Sequence, residues 1–287
     1  MLGRTAACAR FTVSRASWRG SVTAAAAGRG RPSQGGGASV ITSVDNARVK
    51  EVLRLRRSRE RRALGLFVVE GMRELARARS AGLRIQAVYS APELVGGDAR
   101  SPALDGAEEV SARVLRHMSY RAESEGVLAV VEAPHRELPA DATLVLVAVG
   151  VEKPGNLGAM ARSAEAAGAD ALLVADGAFD PWNPNAIRAS TGAVFTLPIV
   201  AATLDDVRAL PFRRVAAVVG AEQLYTDVDL TGPTALIVGA EDEGLSDEWR
   251  AAADSTVAIP MNGRSTDSLN ASVAAGVLLF EAVRQRR

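Results

Sequence analysis

Residues 259–287 read IPMNGRSTDSLNASVAAGVLLFEAVRQRR, and this stretch decides how the chain is understood. An apolar, β-branched run ends at Ile259-Pro260. A polar, glycine-bearing loop follows, and then a long apolar helix. Ser268 is expected to cap that helix and Leu269 to open its buried face, with Asn270 reaching sideways from the first turn. A polar loop between a buried strand and a buried helix is where an open α/β sheet holds its ligand.

Working outward, apolar strands read at 143–149, 171–175, 214–219, 234–238 and 256–259, with helical segments between most of them. Near-continuous apolar strands separated by helices indicate a parallel sheet covered on both faces. Ligands of such sheets bind beyond the carboxyl ends of the strands, and two more of those ends carry unusual loops. One is Gly150-Val-Glu-Lys-Pro-Gly-Asn156-Leu-Gly158-Ala-Met-Ala-Arg162, in which Asn156 is the expected N-cap of a helix running to about Ala167. The other is Gly239-Ala-Glu241-Asp-Glu-Gly244-Leu245-Ser246, where two glycines bracket three acids and Ser246 is placed to cap a helix. Glycine there lets backbone approach a ligand closely, while the acids argue against a phosphate. No Walker A or G-x-G-x-x-G sequence follows any of these strands. That absence disfavours the rival reading, a nicotinamide-dependent dehydrogenase on a doubly wound sheet.

Composition narrows the chemistry. The 287 residues are enough for about two domains. A net charge of +1 means that any polyanion must be met by local basic patches. The single cysteine, Cys8, excludes an internal disulfide and a cysteine-based zinc site. The two histidines, His117 and His135, give no triad or metal pattern, and no metal site is expected. No apolar run approaches the roughly 20 residues that span a bilayer, so a soluble, cytoplasmic protein without membrane contact is expected.

Residues 1–38 hold six arginines and no acid, a composition shared by mitochondrial transit peptides and by basic disordered tails, and the same Ala/Arg bias in the rest of the chain favours the tail. A small α/β unit is expected over 39–133, with Asp45 capping a helix that carries Val49, Val52 and Leu53 on one face. Its strands read at 65–70, 85–89 and 127–131, and a helix at 72–81. Residues 134–142 read as a linker, and 143–287 as the domain with the parallel sheet.

Taken together, the three loops resemble the SpoU (TrmH) family of RNA ribose 2′-O-methyltransferases, in the knotted SPOUT class. Asn156-Leu-Gly158-Ala-Met-Ala-Arg162 meets the family's N-x-G-x-x-x-R, and Gly239-Ala-Glu241-Asp-Glu-Gly244 meets G-x-E-x-x-G. Ile259-Pro-Met261 followed by Ser268-Leu269-Asn270 meets the third motif, with one residue more between Met261 and Ser268 than the usual loop. The first unit resembles, more loosely, the ribosomal-protein-like substrate-binding module of the rRNA enzymes. Arginine-rich, actinomycete-like composition and the domain order point to the antibiotic-resistance members that modify 23S rRNA.

The resemblance implies a trefoil-knotted parallel sheet, S-adenosyl-L-methionine as cofactor, 23S rRNA as substrate and a homodimer. It implies catalytic roles for Arg162, Asn156, Glu241, Ser268 and Asn270. Cofactor contacts fall on Val219, Gly220, Ala221, Gly239, Ile259, Met261, Ser268 and Leu269. A sulfonium cofactor without phosphates accounts for the missing phosphate fingerprints and tolerates Glu241 nearby. Arginine stays protonated, so Arg162 is expected to hold a phosphate and orient the 2′-hydroxyl rather than act as a simple base. Arg54, Arg57, Arg61 and Arg188 are the expected RNA contacts. Transfer to tRNA, or RNA binding without catalysis, are the alternatives within the same fold.

Overall fold

A computed structural model describes residues 40–96, 102–177, 179–265 and 267–287. The basic stretch 1–38 lies outside these described residues. The small unit runs α1 (Ala47–Arg54), α2 (Ser58–Leu64), β1 (Leu66–Glu70), α3 (Met72–Ser80), β2 (Ile85–Ser90), β3 (Glu108–Glu109), α4 (Ala112–Met118) and β4 (Val127–Glu132). Its sheet has the order β1-β4-β2-β3, with β4 antiparallel to both neighbours and β3 parallel to β2.

Period-2 alternation splits this sheet between two cores. Val68, Leu128 and Val130 face a core shared with Val49, Val52 and Leu115 of α1 and α4. Phe67, Val69 and Ala129 face the opposite way, into a core continuous with the large unit. The cap of α1 is Asn46 rather than Asp45. The Asn46 side chain accepts from the Arg48 amide at 2.9 Å, while Asp45 pairs with Lys50 at 3.1 Å. Leu53 is only half-buried. Helix α2 stops at Gly65, whose φ of 65° suits glycine alone among unstrained choices.

The large unit runs β5 (Leu144–Val149), α5 (Pro154–Ala166), β6 (Ala171–Ala175), α6 (Pro184–Ser190), β7 (Ile199–Ala201), α7 (Leu204–Ala209), β8 (Arg213–Ala217), β9 (Thr234–Val238), α8 (Asp247–Ala252), β10 (Ser255–Val257) and α9 (Ala271–Gln285). Every pairing in its six-stranded sheet is parallel, in the order β10-β8-β9-β5-β6-β7. Both faces are covered, which is why the strands read as unbroken apolar runs. Leu144, Leu146 and Ala148 pack with α5 and α9 residues such as Leu157, Met160 and Leu278. Val145, Val147 and Val149 pack with Val207 and Trp249 of α7 and α8. Strand β7 does not stand out in the sequence, because only three residues after Pro198 pair with β6. Strands β8 and β10 end two residues earlier than expected, freeing 218–220 and 258–259 for loops. The chain leaves edge strand β10 and returns to the middle of the sheet, where α9 lies against α5 and β9.

Among the described residues no helix is long and apolar enough to cross a membrane, and no group of side chains is arranged to hold a metal ion.

Candidate active site

Pro154 sets where α5 begins. Its fixed φ suits the first helical position, so the helix starts there, two residues ahead of Asn156. Asn156 is therefore inside the first turn and not its cap, and its side chain is free for other partners. At the far loop, Asn270 and not Ser268 caps α9, accepting from the Ser272 amide at 2.9 Å. Ser268 and Leu269 stay in the preceding loop, Ser268 exposed and Leu269 half-buried. Ser246 caps α8 as expected, accepting from the Trp249 amide.

These corrections bring the three loops to one carboxylate. Glu241 Oε1 accepts from Asn156 Nδ2 at 3.1 Å and from Asn270 Nδ2, and Glu241 Oε2 accepts from Lys153 Nζ at 2.6 Å. Asn270 Nδ2 also lies 3.3 Å from Asn156 Oδ1. The Lys153 ammonium, then the Asn156 amide, hold the Glu241 carboxyl below its ordinary value. Glu241 in turn raises Lys153. Lys153 escaped the sequence reading. It is one of only two lysines in an arginine-rich chain, but nothing in its spacing pairs it with a residue 88 positions away.

The two glycines of the second loop have separate reasons. A Cβ on Gly239 would sit 2.4 Å from the backbone of Gly244, because the loop closes on itself through an Ala240–Gly244 bridge. Gly244 has open space but a φ of 67°. Together they fold the loop over a cavity beyond the ends of β8, β9 and β10. Val219, Gly239, Ile259, Met261, Ser268 and Leu269 line that cavity, as does Glu241. Gly220 and Ala221 lie in the adjoining turn without lining it. Val238, Leu245, Val257 and Ala274 add apolar wall that the motifs did not reveal. Asp242 and Glu243 stand at the same cavity, so it is apolar inside with carboxylates around it.

Arg162 is on α5, six residues beyond Asn156. It is exposed and makes no side-chain hydrogen bond or ion pair among the described residues. Gly158, between the two, is where α6 crosses. A Cβ there would lie 2.3 Å from the Ala186 carbonyl oxygen and 2.8 Å from Ala189 Cβ.

The four expected RNA contacts separate. Arg57 is exposed with a free guanidinium among the described residues, and exposed Arg188 reaches only Asn185 Oδ1 at 3.2 Å. Arg54 is held by Glu60 at 2.6 Å. Arg61 is buried, 2% exposed, and pairs with Asp180, so it has no surface to offer a polyanion. Charge-run reasoning misses this because one position on a short basic helix can point inward.

Residues 143–280 match the SpoU rRNA Methylase family and residues 46–129 the MRM3-like substrate binding domain. A 23S rRNA (uridine(2479)-2′-O)-methyltransferase of Streptomyces viridochromogenes is 45% identical over 146 residues, 46% of this chain and 50% of that protein. This match thus spans half of that relative's length. An uncharacterized tRNA/rRNA methyltransferase of Synechocystis is 30% identical over 86% of this chain and 94% of its own. The crystal structure of the SpoU methyltransferase AviRb from Streptomyces viridochromogenes, in complex with the cofactor AdoMet, superposes with a TM-score of 0.74 at 32% identity, covering 84% of this chain and 98% of that one.

Proposed function

Because this chain belongs to the SpoU rRNA methylase family, we propose that it is an S-adenosyl-L-methionine-dependent RNA ribose 2′-O-methyltransferase acting on 23S rRNA. One observation carries the reading. Three loops from separate strand ends converge on Glu241 beside an apolar cavity, and α5, which brings Asn156 to that convergence, also carries the exposed Arg162, unpaired among the described residues.

The cavity suits the cofactor. Its apolar wall fits an adenine and its carboxylates tolerate a sulfonium, while Arg250, whose Nε donates to the Leu245 carbonyl, is outnumbered there by Glu241, Asp242, Glu243 and Asp267, a poor cradle for a polyphosphate. Ile259, Met261 and Leu269 would flank the base, with Gly239 letting backbone come close. When bound, S-adenosyl-L-methionine supplies an electrophilic methyl group. Asn156 and Asn270, locked by Glu241, hold the shape of the loops that border it. Arg162 binds a phosphate of the RNA and orients the adjacent 2′-hydroxyl for in-line attack. Alignment supplies much of the rate, and the hydroxyl proton leaves late, toward phosphate. Ser268, exposed in the loop before Asn270, contributes loop geometry rather than a charge.

Arg57 and Arg188, exposed with their cationic groups available, make the RNA contacts. The exposed Val273 and Phe280 on α9 support a homodimer, since large apolar side chains about half exposed on one helix suit a partner surface. Action on 23S rRNA supports a cytoplasmic location.

The test is incubation of the purified protein with methyl-labelled S-adenosyl-L-methionine and, separately, 23S rRNA, 16S rRNA and bulk tRNA. Label is expected in 23S rRNA at one nucleotide that becomes resistant to alkaline cleavage. Label in tRNA alone overturns the substrate, and cofactor binding without label in any RNA overturns the enzyme reading.

A further inference from the structure

The small unit touches the large one through a narrow platform. Among the described residues, every hydrogen bond, ion pair and ring contact between the two ends within 179–195. Phe67 stacks on Trp182 with ring centroids 4.4 Å apart and approaches Phe195 at 6.1 Å. Arg62 donates to the Phe179 carbonyl, Arg77 to the Thr191 carbonyl, and Arg61 to Asp180. The same segment contains α6, whose backbone presses on Gly158 of α5 between Asn156 and Arg162. A displacement of the small unit is therefore transmitted to the helix that carries Arg162.

The Arg61–Asp180 pair is the unusual member of this set. Arg61 is 2% exposed, and its guanidinium also donates to the carbonyls of Leu55 at 2.7 Å and Arg56 at 3.0 Å. Those bonds tie it to the turn between α1 and α2, so it cannot follow Asp180 if the units slide. Arg61 Nε and Asp180 Oδ1 are buried with no partner among the described residues. A pair so desolvated and incompletely satisfied is poorly explained as a source of stability, because apolar side chains of similar size would serve as well or better. What it supplies is register. Ring and aliphatic contacts tolerate sliding, whereas a buried charge is satisfied in one place.

We propose that Arg61 and Asp180 are positioning residues for methyl transfer, fixing the RNA-binding unit against α5 so that one ribose, and not its neighbours, reaches Arg162. This rests on the RNA methyltransferase reading above. Label on 23S rRNA by the unchanged protein tests that reading, and where the label falls in variants tests the pair.

The experiment replaces the pair by apolar side chains, Arg61→Met with Asp180→Leu, and maps every methylated ribose in 23S rRNA. The expected variant keeps its melting temperature and binds cofactor within about twofold, but loses about 10²-fold in kcat for the native nucleotide and marks adjacent riboses. Asp180→Asn, nearly isosteric, is measured alongside and carries the test if the double variant fails to fold. Single-site methylation at the wild-type kcat/KM in a folded variant overturns the proposal. So does a loss of rate that tracks a fall in melting temperature with no new methylation sites, which would mark the pair as structural only.

Discussion

Asn156 Nδ2 donates to Glu241 Oε1 across 3.1 Å, although 85 residues separate the two in the chain. Asn270 meets the same carboxylate from a third strand end. Removing the charge while keeping the shape, Glu241→Gln, forfeits the Lys153 pair and sets an NH2 donor either against the Lys153 ammonium or against the two asparagine amides. Cofactor affinity should fall by at least about tenfold with little change in melting temperature, since the loop and not the core is affected. Isothermal titration with S-adenosyl-L-methionine decides this, and unchanged affinity would remove Glu241 from the site.

Arg162→Ala separates binding from chemistry. No described residue depends on that side chain, so fold and cofactor affinity should persist. Methyl transfer should drop by roughly 10²–10³-fold or more, as for loss of a group that acts on the reacting centre. Wild-type turnover in this variant would sink the assignment.

Two helix glycines should respond in opposite ways to alanine. Gly158→Ala drives a Cβ into the Ala186 backbone, which has no flexible end to move, and should destabilise by about 1–3 kcal/mol. Gly276→Ala in α9 meets only the Ser163 side chain, Oγ at 3.6 Å and Cβ at 4.0 Å, both ordinary contacts. It should gain about 0.5–1 kcal/mol from the lower entropy of the unfolded chain. Thermal unfolding of the two proteins checks the sign of each.

The Lys153–Glu241 pair predicts a flat pH dependence through neutrality. Glu241 is lowered from 4.5, so its contribution is complete above 4.5 and is lost as pH falls through the lowered value. Lys153 is raised from 10.5, so its contribution is complete below 10.5 and is lost as pH rises through the raised value. Cofactor affinity should therefore not change between about pH 5 and pH 10 through this pair. A titration near pH 7 that disappears in Lys153→Met would contradict the ionisation described.

Arginines on the outside of the small unit should differ in their effect on RNA binding. Arg57→Ala should weaken binding and reduce the slope of log K against log salt by roughly one. Arg54→Ala should change the slope less, because Glu60 already neutralises that guanidinium. Equal slopes for both variants and the parent protein would argue that α1 and α2 do not face the RNA.

Much of the small unit was legible locally. The short apolar run Phe67-Val-Val and the apolar face at Val49 and Val52 are signals read over a few residues. Its caps were less so, because Asp45 and Asn46 are both good N-cap residues and only the competing Lys50 pair separates them.

In the large unit, five strand runs and three loop motifs were enough to place the chain in its family. Burial on both faces of a parallel sheet writes itself directly into the sequence as continuous apolar stretches. The sequence by itself thus determined five of the six parallel strands, the three loops at their ends and the presence there of Asn156, Glu241 and Asn270. Tertiary structure decided what those residues do to one another. It made Asn270 a cap and a Glu241 partner at once, drew Lys153 into the same carboxylate, and turned Arg61 inward to Asp180. Those pairings join residues 29, 88 and 119 positions apart, and side-chain partners at such distance depend on how strands stack and helices cross, which no local pattern encodes.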